Sequence, residues 1–289
     1  MTFADRLIAA VQAHGPLCVG IDPHSGRIPQ LFGGDTPDGI KAWGDALINE
    51  LSGRVAAIKP QIGLFERHGP AGMAALQHIC AAGRAADLLV IADAKRGDIG
   101  STAEGYAAAY LEPGGPFEAD ALTVNPYMGL DTLEPFVRRA ESYDKGVVVL
   151  ARTSNPGSSD FQAKDLEGKP LYVRVVEALK PMIARLKGNS DWSGLMLVVG
   201  ATGPEEARAL RQITPDALFL VPGYGTQGGG ASDAVAGFVR GTGGLVNASR
   251  SVTFPEAAQT AETLPQWQAA IGMAIDAAQA ELQAALSEQ

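Results

Sequence analysis

Short apolar runs alternate along this chain with longer stretches in which apolar residues recur every three to four positions. The runs are four or five residues long and rich in Val, Ile and Leu, which is typical of strands buried on both faces of a parallel sheet. Eight of them occur, at residues 17–21, 55–58, 88–91, 121–124, 146–150, 195–199, 217–221 and 244–247. A stretch with helical spacing follows each run, so the pattern predicts eight strand–helix units.

Eight such units favour an α/β fold in which the parallel sheet closes into a (β/α)8 TIM barrel. An open doubly wound sheet is the main alternative, but it requires a glycine-rich fingerprint after the first strand. This chain has Asp22-Pro23 at that point. We therefore predict a barrel that forms one domain over residues 1–289.

Helix signals extend this pattern at both ends of the chain. Thr2 is a suitable cap for an additional N-terminal helix, and a long C-terminal helix is expected after Phe254-Pro255. The apolar face of that last helix is formed by Trp267, Ile271, Ile275 and Leu282. Within the barrel, Ser101 and Glu104 have the spacing of a capping box, which predicts a helix from about Ser101 to Leu111.

Two long segments interrupt the alternation. The segment Asn155–Gly168 is too polar to be core. It is either a surface insertion or a lid over a ligand, and its position after the fifth strand favours the lid. The other segment, residues 24–36, has no role that the sequence assigns.

The composition limits the kinds of molecule that this protein is expected to bind. The 289 residues include 23 Lys and Arg against 32 Asp and Glu, a net charge of −9. This charge argues against binding to nucleic acid or to an acidic membrane surface, but it allows a small anionic ligand where basic residues converge. The sequence has no apolar run of about 20 residues and no signal-peptide pattern, so a soluble, cytoplasmic protein is expected.

The cysteines and histidines do not suggest a metal site. Cys18 and Cys80 lie in apolar surroundings and are expected to be buried thiols. The four histidines show no metal-ligand spacing with them. No metal ion is therefore predicted.

Charged residues cluster at the end of the third strand. Asp93 and Lys95 are two positions apart and should share a face of the strand, with Asp98 just beyond. The carboxyl ends of barrel strands meet at one face, where Asp22 and Lys59 would join them. Alternating opposite charges can keep Lys95 protonated while Asp93 stays ionised. A purely structural ion-pair network is the alternative interpretation.

Other strand ends also carry polar residues. Asn125 ends the fourth strand, and Thr153, Ser154 and Asn155 follow the fifth. The sixth offers only Gly200 and Thr202, to which we assign no role.

The last two strand ends suggest a phosphate site. The glycine-rich run Pro222–Gly230 follows the seventh strand, and Ser249-Arg250 follows the eighth. Barrels often bind phosphate between these two loops, through backbone N–H groups and a helix N-terminus. Arg250 could grip phosphate oxygens through its planar fork of donors.

These motifs together resemble the longer-chain branch of the orotidine 5′-phosphate decarboxylase family. The resemblance extends from Asp22 to Arg250, and its most specific part is the segment Asp93-x-Lys95-x-x-Asp98-Ile99-x-x-Thr102. The remaining matching positions are Asp22, Lys59, the run Ser154–Gly157, the run Pro222–Gly228 and Arg250. The chain differs from the family's shorter branch in its long segments around 24–36 and 158–169 and in its extended C-terminal helix.

The resemblance implies decarboxylation of orotidine 5′-phosphate to uridine 5′-phosphate without a metal or organic cofactor. It implies catalytic roles for Lys95, Asp93, Asp98 and Lys59. It implies substrate binding by Asp22, Ile99, Thr102, Ser154, Pro222, Gly225, Gln227, Gly228 and Arg250. It also implies a homodimer with shared active sites, since the family's counterpart of Asp98 enters the neighbouring subunit's site.

Two alternatives remain open at this point. One is a metal-dependent sugar-phosphate decarboxylase or aldolase of the same superfamily, which shares the Asp-x-Lys-x-x-Asp core. The Ile99 and Thr102 extension and the Ser154 and Gln227 motifs count against it. The other is a non-catalytic barrel that binds a phosphometabolite, which would not need Lys95 flanked by two acids.

Overall fold

A computed structural model of the protein describes residues 1–225 and 228–289. Its strands are β1 (Leu17–Ile21), β2 (Ala57–Pro60), β3 (Leu89–Arg96), β4 (Ala121–Val124), β5 (Gly146–Arg152), β6 (Asp165–Leu166), β7 (Lys169–Pro170), β8 (Ser193–Val199), β9 (Ala217–Val221) and β10 (Gly244–Ala248). All but β6 and β7 form a closed barrel, in the order β1-β10-β9-β8-β5-β4-β3-β2. Every neighbouring pair in the barrel is parallel. The predicted TIM barrel is confirmed.

Helices surround the barrel. They are α1 (Phe3–His14), α2 (Pro37–Leu51), α3 (Ile62–Glu66), α4 (Gly69–Ala85), α5 (Gly100–Leu111), α6 (Glu134–Tyr143), α7 (Ser158–Phe161), α8 (Leu171–Arg185), α9 (Pro204–Ile213), α10 (Ala231–Ala234), α11 (Arg250–Thr253), α12 (Glu256–Gln259) and α13 (Leu264–Ser287). Short 3₁₀ turns lie at Gln30–Phe32 and Leu130–Thr132. In the described part of the chain, every helix is too short or too polar to span a bilayer.

The barrel strands bury both faces, and successive residues alternate between two apolar layers. In β3, Leu89 and Ile91 belong to the layer inside the barrel, whereas Val90 packs against the helices. Towards the carboxyl ends the inward positions become polar, so Asp93 follows Ile91 and Thr123 follows Ala121. The same alternation that builds the core therefore delivers polar side chains to one end of the barrel.

The predicted terminal helices are both present. The Thr2 side chain accepts a hydrogen bond from the Asp5 N–H and caps α1. The helix α13 buries the predicted apolar face through Trp267, Ile271, Ile275 and Leu282.

Two local predictions were wrong. The helix α5 begins at Gly100, its cap is Ile99, and no side chain caps it. Glu104 forms ion pairs with Arg138 and Arg139 of α6 instead, so the capping box with Ser101 does not form. The second strand spans Ala57–Pro60 rather than residues 55–58, and Lys59 therefore lies within it.

Contacts with Arg67, at the end of α3, and with Trp267 of α13 hold the segment of residues 24–36 in place. Asp35 accepts hydrogen bonds from Ser25 Oγ (3.1 Å) and from Arg67 Nη2 (2.5 Å). Arg67 also donates to the Pro23 carbonyl at 3.1 Å. Phe32 packs edge-on against Trp267 of α13, with ring centroids 4.9 Å apart.

Candidate active site

A cavity of about 600 Å³ opens at the carboxyl ends of the strands. It collects side chains from all eight barrel strands or the loops that follow them. Among the residues that line it are Asp22, His24, Lys59, Gln61, Asp93, Lys95, Thr123, Ser154, Pro222, Tyr224, Asn247, Ser249 and Arg250. Seven of the predicted site residues thus converge on one cavity, namely Asp22, Lys59, Asp93, Lys95, Ser154, Pro222 and Arg250.

Asp93 is the centre of the polar network in this cavity. Its Oδ2 accepts hydrogen bonds from Lys59 Nζ at 2.7 Å and from Gln61 Nε2 at 3.0 Å. Its Oδ1 accepts from Lys95 Nζ at 2.5 Å and from Thr123 Oγ1 at 3.1 Å. Both carboxylate oxygens are therefore saturated with donors, two of them cationic, which is the condition under which a buried carboxylate can remain charged.

The pKa shifts of the buried pair agree with that arrangement. Burial alone would raise the pKa of the Asp93 carboxyl, but the charges and hydrogen bonds of Lys59 and Lys95 outweigh it and hold this pKa well below its usual range. Burial would likewise lower the pKa of the Lys59 ammonium, but the charges of Asp93 and Asp22 raise it above its ordinary value. The site consequently contains an ionised Asp93 and a protonated Lys59 at neutral pH.

The two lysines differ in exposure. Lys59 is only 4% exposed, whereas the side chain of Lys95 is 46% exposed and its ammonium reaches into the open cavity. Of the two ammonium groups, that of Lys95 is thus the more accessible to a ligand. Lys59 is buried in the cavity wall, where it is bound to Asp93.

Unsatisfied polar atoms mark the seam between β1 and β10. Asp22 Oδ1, Asn247 Oδ1 and Ser249 Oγ are buried and have no hydrogen-bond partner among the described residues. Gly20 allows this crowding, because a Cβ there would lie 2.8 Å from Ser249 Cβ. Buried polar atoms without partners are rare in folded proteins, so this seam is suited to a ligand rich in hydroxyl groups.

Two N–H groups of the glycine loop after β9 are used within the loop itself. Gly225 and Gly228 have positive φ angles of 75° and 92°. Their N–H groups donate to the carbonyls of Gly229 and Gly225, at 2.9 and 3.0 Å. These N–H groups hold the turn together and do not point at a ligand. Gln227 lies outside the described residues.

Arg250 is the first residue of α11 and lines the cavity from the end of β10, the strand that pairs with β9. Ser154 lines it from the end of β5. Gly200, which was assigned no role, makes room for Ser154, since a Cβ at Gly200 would lie 2.9 Å from Ser154 Cα. The guanidinium group of Arg250 and the hydroxyl group of Ser154 thus line the same cavity as the two lysines.

Six predicted residues that the structure describes do not line this cavity; Gly225 and Gly228 lie in the glycine loop, and the other four follow β3 and β4. Asp98 is half-buried, and its Oδ1 accepts a hydrogen bond from the N–H of Ile99 at 2.8 Å. Ile99 is 62% exposed and Thr102 is exposed. Asn125 is exposed and accepts a hydrogen bond from the Tyr127 N–H. The chain on its own does not bring these four residues to the lysine pair.

The segment Asn155–Gly168 emerges at the rim of the cavity. It contains α7 and the first strand of the β6–β7 pair. Thr153 anchors its base, because the Thr153 N–H donates to Gln162 Oε1 and Gln162 Nε2 donates to Thr153 Oγ1, both at 2.8 Å. The side chain of Phe161 is exposed. Its role as a lid stays a prediction.

The remaining candidate groups have structural positions. Cys18 and Cys80 are buried free thiols, as predicted, and burial raises the pKa of each to about 12. Among the described residues, no three His, Cys, Asp or Glu side chains are grouped so that they could hold a metal ion.

Sequence reasoning missed three residues of this site, namely Gln61, Thr123 and Asn247. Each lines the cavity from an inward position. Thr123 follows the inward residue Ala121 by two positions, and Asn247 follows Leu245 in the same way. A polar residue in that register was the available signal, and strand alternation could have identified it.

Comparison with known proteins gives the same picture. The family model described as orotidine 5′-phosphate decarboxylase / HUMPS matches residues 15–263. The chain belongs to this family. Within it, the chain is 40% identical over 268 residues to the orotidine 5′-phosphate decarboxylase of Rhodopirellula baltica, an alignment that covers 88% of this chain and 89% of that protein.

Two further family members show how far the likeness extends. The orotidine 5′-phosphate decarboxylase of Clostridium perfringens strain 13 is 39% identical over 253 residues, which covers 86% of this chain and 88% of that one. Among solved structures, the OMP decarboxylase of Leishmania donovani superposes with a TM-score of 0.81 at 32% identity, covering 99% of this chain and all of that chain (100%). The family therefore accounts for the whole barrel.

Proposed function

We propose that this chain decarboxylates orotidine 5′-phosphate to uridine 5′-phosphate, a step of pyrimidine biosynthesis, without a metal ion or organic cofactor. The observation that carries the proposal is the ionised Asp93 held between Lys59 and Lys95 in a cavity that Arg250 also lines. The names of the family relatives support it. A cytoplasmic location fits this role.

The reaction leaves an electron pair on carbon 6 of the pyrimidine when the bond to the carboxylate breaks and CO₂ departs. A preorganised cation is the most effective way to stabilise such a charge in a partly dry site. Lys95 Nζ is that cation, and it then transfers one of its protons to carbon 6. Asp93 repels the substrate carboxylate, which favours its departure, and keeps Lys95 in place through the 2.5 Å hydrogen bond.

The rest of the nucleotide is bound around this centre. Lys59 donates one N–H to Asp93 and directs its other two at ribose hydroxyl oxygens, while Asp22 accepts hydrogen bonds from ribose hydroxyl groups. Ser154 binds the amide edge of the pyrimidine and Arg250 the phosphate. The loop from Pro222 to Gly228 closes the phosphate end, with Gln227 between base and phosphate. Binding energy from the distant phosphate can then lower the barrier at carbon 6.

Asp98, Ile99 and Thr102 act in the site of a second copy of the chain, so the active form is a homodimer with shared sites. Exposed apolar side chains around these residues support this interface. Ile99 is 62% exposed and Tyr127 is 85% exposed. A soluble monomer seldom leaves such a group of large apolar side chains in water.

Hybrid dimers test the shared site. Inactive Lys95→Ala and Asp98→Asn subunits are mixed and allowed to exchange. One site of each hybrid then carries both changes, while the other combines an intact Lys95 with the partner's intact Asp98. Activity should return, up to about half that of a wild-type dimer. If subunits exchange and no activity returns, Asp98 serves its own chain.

The function itself is tested by measuring uridine 5′-phosphate formed from orotidine 5′-phosphate in excess chelator. We expect full turnover with the metal removed. Activity that disappears with chelator and returns with a divalent ion would favour the sugar-phosphate decarboxylase or aldolase alternative. Tight phosphate-ester binding without turnover would favour the non-catalytic barrel.

A further inference from the structure

We propose that Thr123 is a positioning residue that holds Asp93 and Lys95 in their working arrangement through its hydroxyl group. The kinetic part of this inference rests on the proposed function, whereas its structural part does not. Thr123 lies in β4, next to β3, and is 1% exposed.

The hydroxyl of Thr123 joins both residues at once. Its Oγ1 accepts a hydrogen bond from the main-chain N–H of Lys95 at 2.8 Å and donates one to Asp93 Oδ1 at 3.1 Å. Asp93 Oδ1 is also the atom that accepts from Lys95 Nζ. A closed ring of hydrogen bonds therefore runs from the Lys95 main chain through Thr123 and Asp93 to the Lys95 side chain.

This ring lies where the backbone needs support. Lys95 has a φ angle of +49°, in the left-handed region that side-chain-bearing residues disfavour. The pairing of β3 with β4 shifts register between Ala92 and Arg96, as expected at a β-bulge. A bulge leaves a main-chain group without its ladder partner, and the Thr123 hydroxyl supplies an acceptor for the Lys95 N–H.

A role limited to burial would not require this geometry. Thr123 Oγ1 also lies 3.5 Å from the carbonyl of Ala92, at the limit of a hydrogen bond. The hydroxyl has a single proton to donate, and it donates to Asp93 because a charged acceptor forms the stronger hydrogen bond. The hydroxyl thus fixes one oxygen of Asp93 and the backbone that carries Lys95.

The test compares Thr123→Val, which keeps the shape and removes the hydroxyl, with Thr123→Ser, which keeps the hydroxyl. Because small displacements of a catalytic group can lower the rate about 100-fold, we expect kcat for orotidine 5′-phosphate to fall by roughly that factor in the valine variant, with little change in KM. The serine variant should retain most of the wild-type kcat. The matched control is Thr214→Val, an equally buried threonine whose hydroxyl donates to the Leu210 carbonyl.

Hydrogen exchange of the Lys95 amide gives a readout independent of turnover. Exchange should accelerate in Thr123→Val and return to the wild-type rate in Thr123→Ser. If the wild type does not decarboxylate orotidine 5′-phosphate, the proposed function fails and the exchange rates still decide the positioning role. Should the valine variant not fold, Thr123→Cys, a much weaker hydrogen-bonding group, takes its place.

Four results would overturn the inference, three of them kinetic. The kinetic results are a valine variant with wild-type kcat, a serine variant as impaired as the valine variant, and an equal loss of kcat in Thr214→Val. An unchanged exchange rate at Lys95 in the valine variant would do the same.

Discussion

Replacing Lys59 with methionine should destabilise the protein, because it leaves Asp93 buried with one fewer positive charge. Lys59 is 4% and Asp93 6% exposed. Removing one partner of a buried ion pair typically costs about 3–5 kcal/mol. Asp93 would retain its hydrogen bonds from Lys95, Gln61 and Thr123. We therefore expect a loss near the lower limit, about 3 kcal/mol at pH 7.

The pH dependence of this loss has a definite sign. In the wild type the pKa of Asp93 lies below its ordinary value of about 4, so its stabilising effect is present above that pH and is lost as the pH falls through the folded-state pKa. Without Lys59 the folded-state pKa of Asp93 rises. Asp93 is then protonated at a higher pH than in the wild type, and the deficit should narrow as the pH falls through this raised pKa.

Urea unfolding at several pH values measures these effects. The control is Lys180→Met, which changes an exposed lysine of α8 and should shift stability by less than about 0.5 kcal/mol. The double variant Lys59→Met/Asp93→Asn should be more stable than Lys59→Met, because the uncompensated charge is gone. A loss at Lys59 no larger than at Lys180, or a double variant no more stable than the single one, would refute the reasoning.

Two predictions concern the phosphate end of the cavity. Arg250→Ala is expected to lower kcat/KM for orotidine 5′-phosphate at least 10- to 100-fold, since a charged hydrogen bond contributes about 1.5–3 kcal/mol. Turnover of unphosphorylated orotidine should barely change. Equal losses for both substrates would show that Arg250 does not bind phosphate. Glu281→Leu removes the acceptor of the Tyr224 hydroxyl, 2.6 Å away, which ties the glycine loop to α13. It should weaken uridine 5′-phosphate binding roughly fivefold. Glu281→Gln keeps an acceptor, so binding as weak as in the leucine variant would contradict this role.

The barrel could be predicted because its signals are local. Each barrel strand contains a short buried apolar run, and the runs at 17–21, 121–124 and 217–221 match β1, β4 and β9 residue for residue. Polar residues at the ends of such runs are directed to one face by the fold itself. For that reason Asp22, Lys59, Asp93 and Lys95 could be placed together before the structure was known.

The remaining features depend on contacts between distant segments. Strand alternation directs Thr123 into the barrel, but only the pairing of β4 with β3 brings its hydroxyl to Asp93. The capping box at Ser101 fails because α6 supplies two arginines to Glu104. The position of Asp98 outside the cavity depends on the turn before α5. Such effects have no local sequence signature.

The most direct test of the central claim, that Lys95 is the cation and proton donor at the reacting carbon, is a comparison of wild-type and Lys95→Ala enzyme. Turnover of orotidine 5′-phosphate and binding of uridine 5′-phosphate are measured on the same preparations. We expect stoichiometric CO₂ and uridine 5′-phosphate from the wild type, with nearly all turnover lost in the variant while the product still binds. A variant that binds product and retains even a tenth of wild-type turnover would contradict the assignment of Lys95.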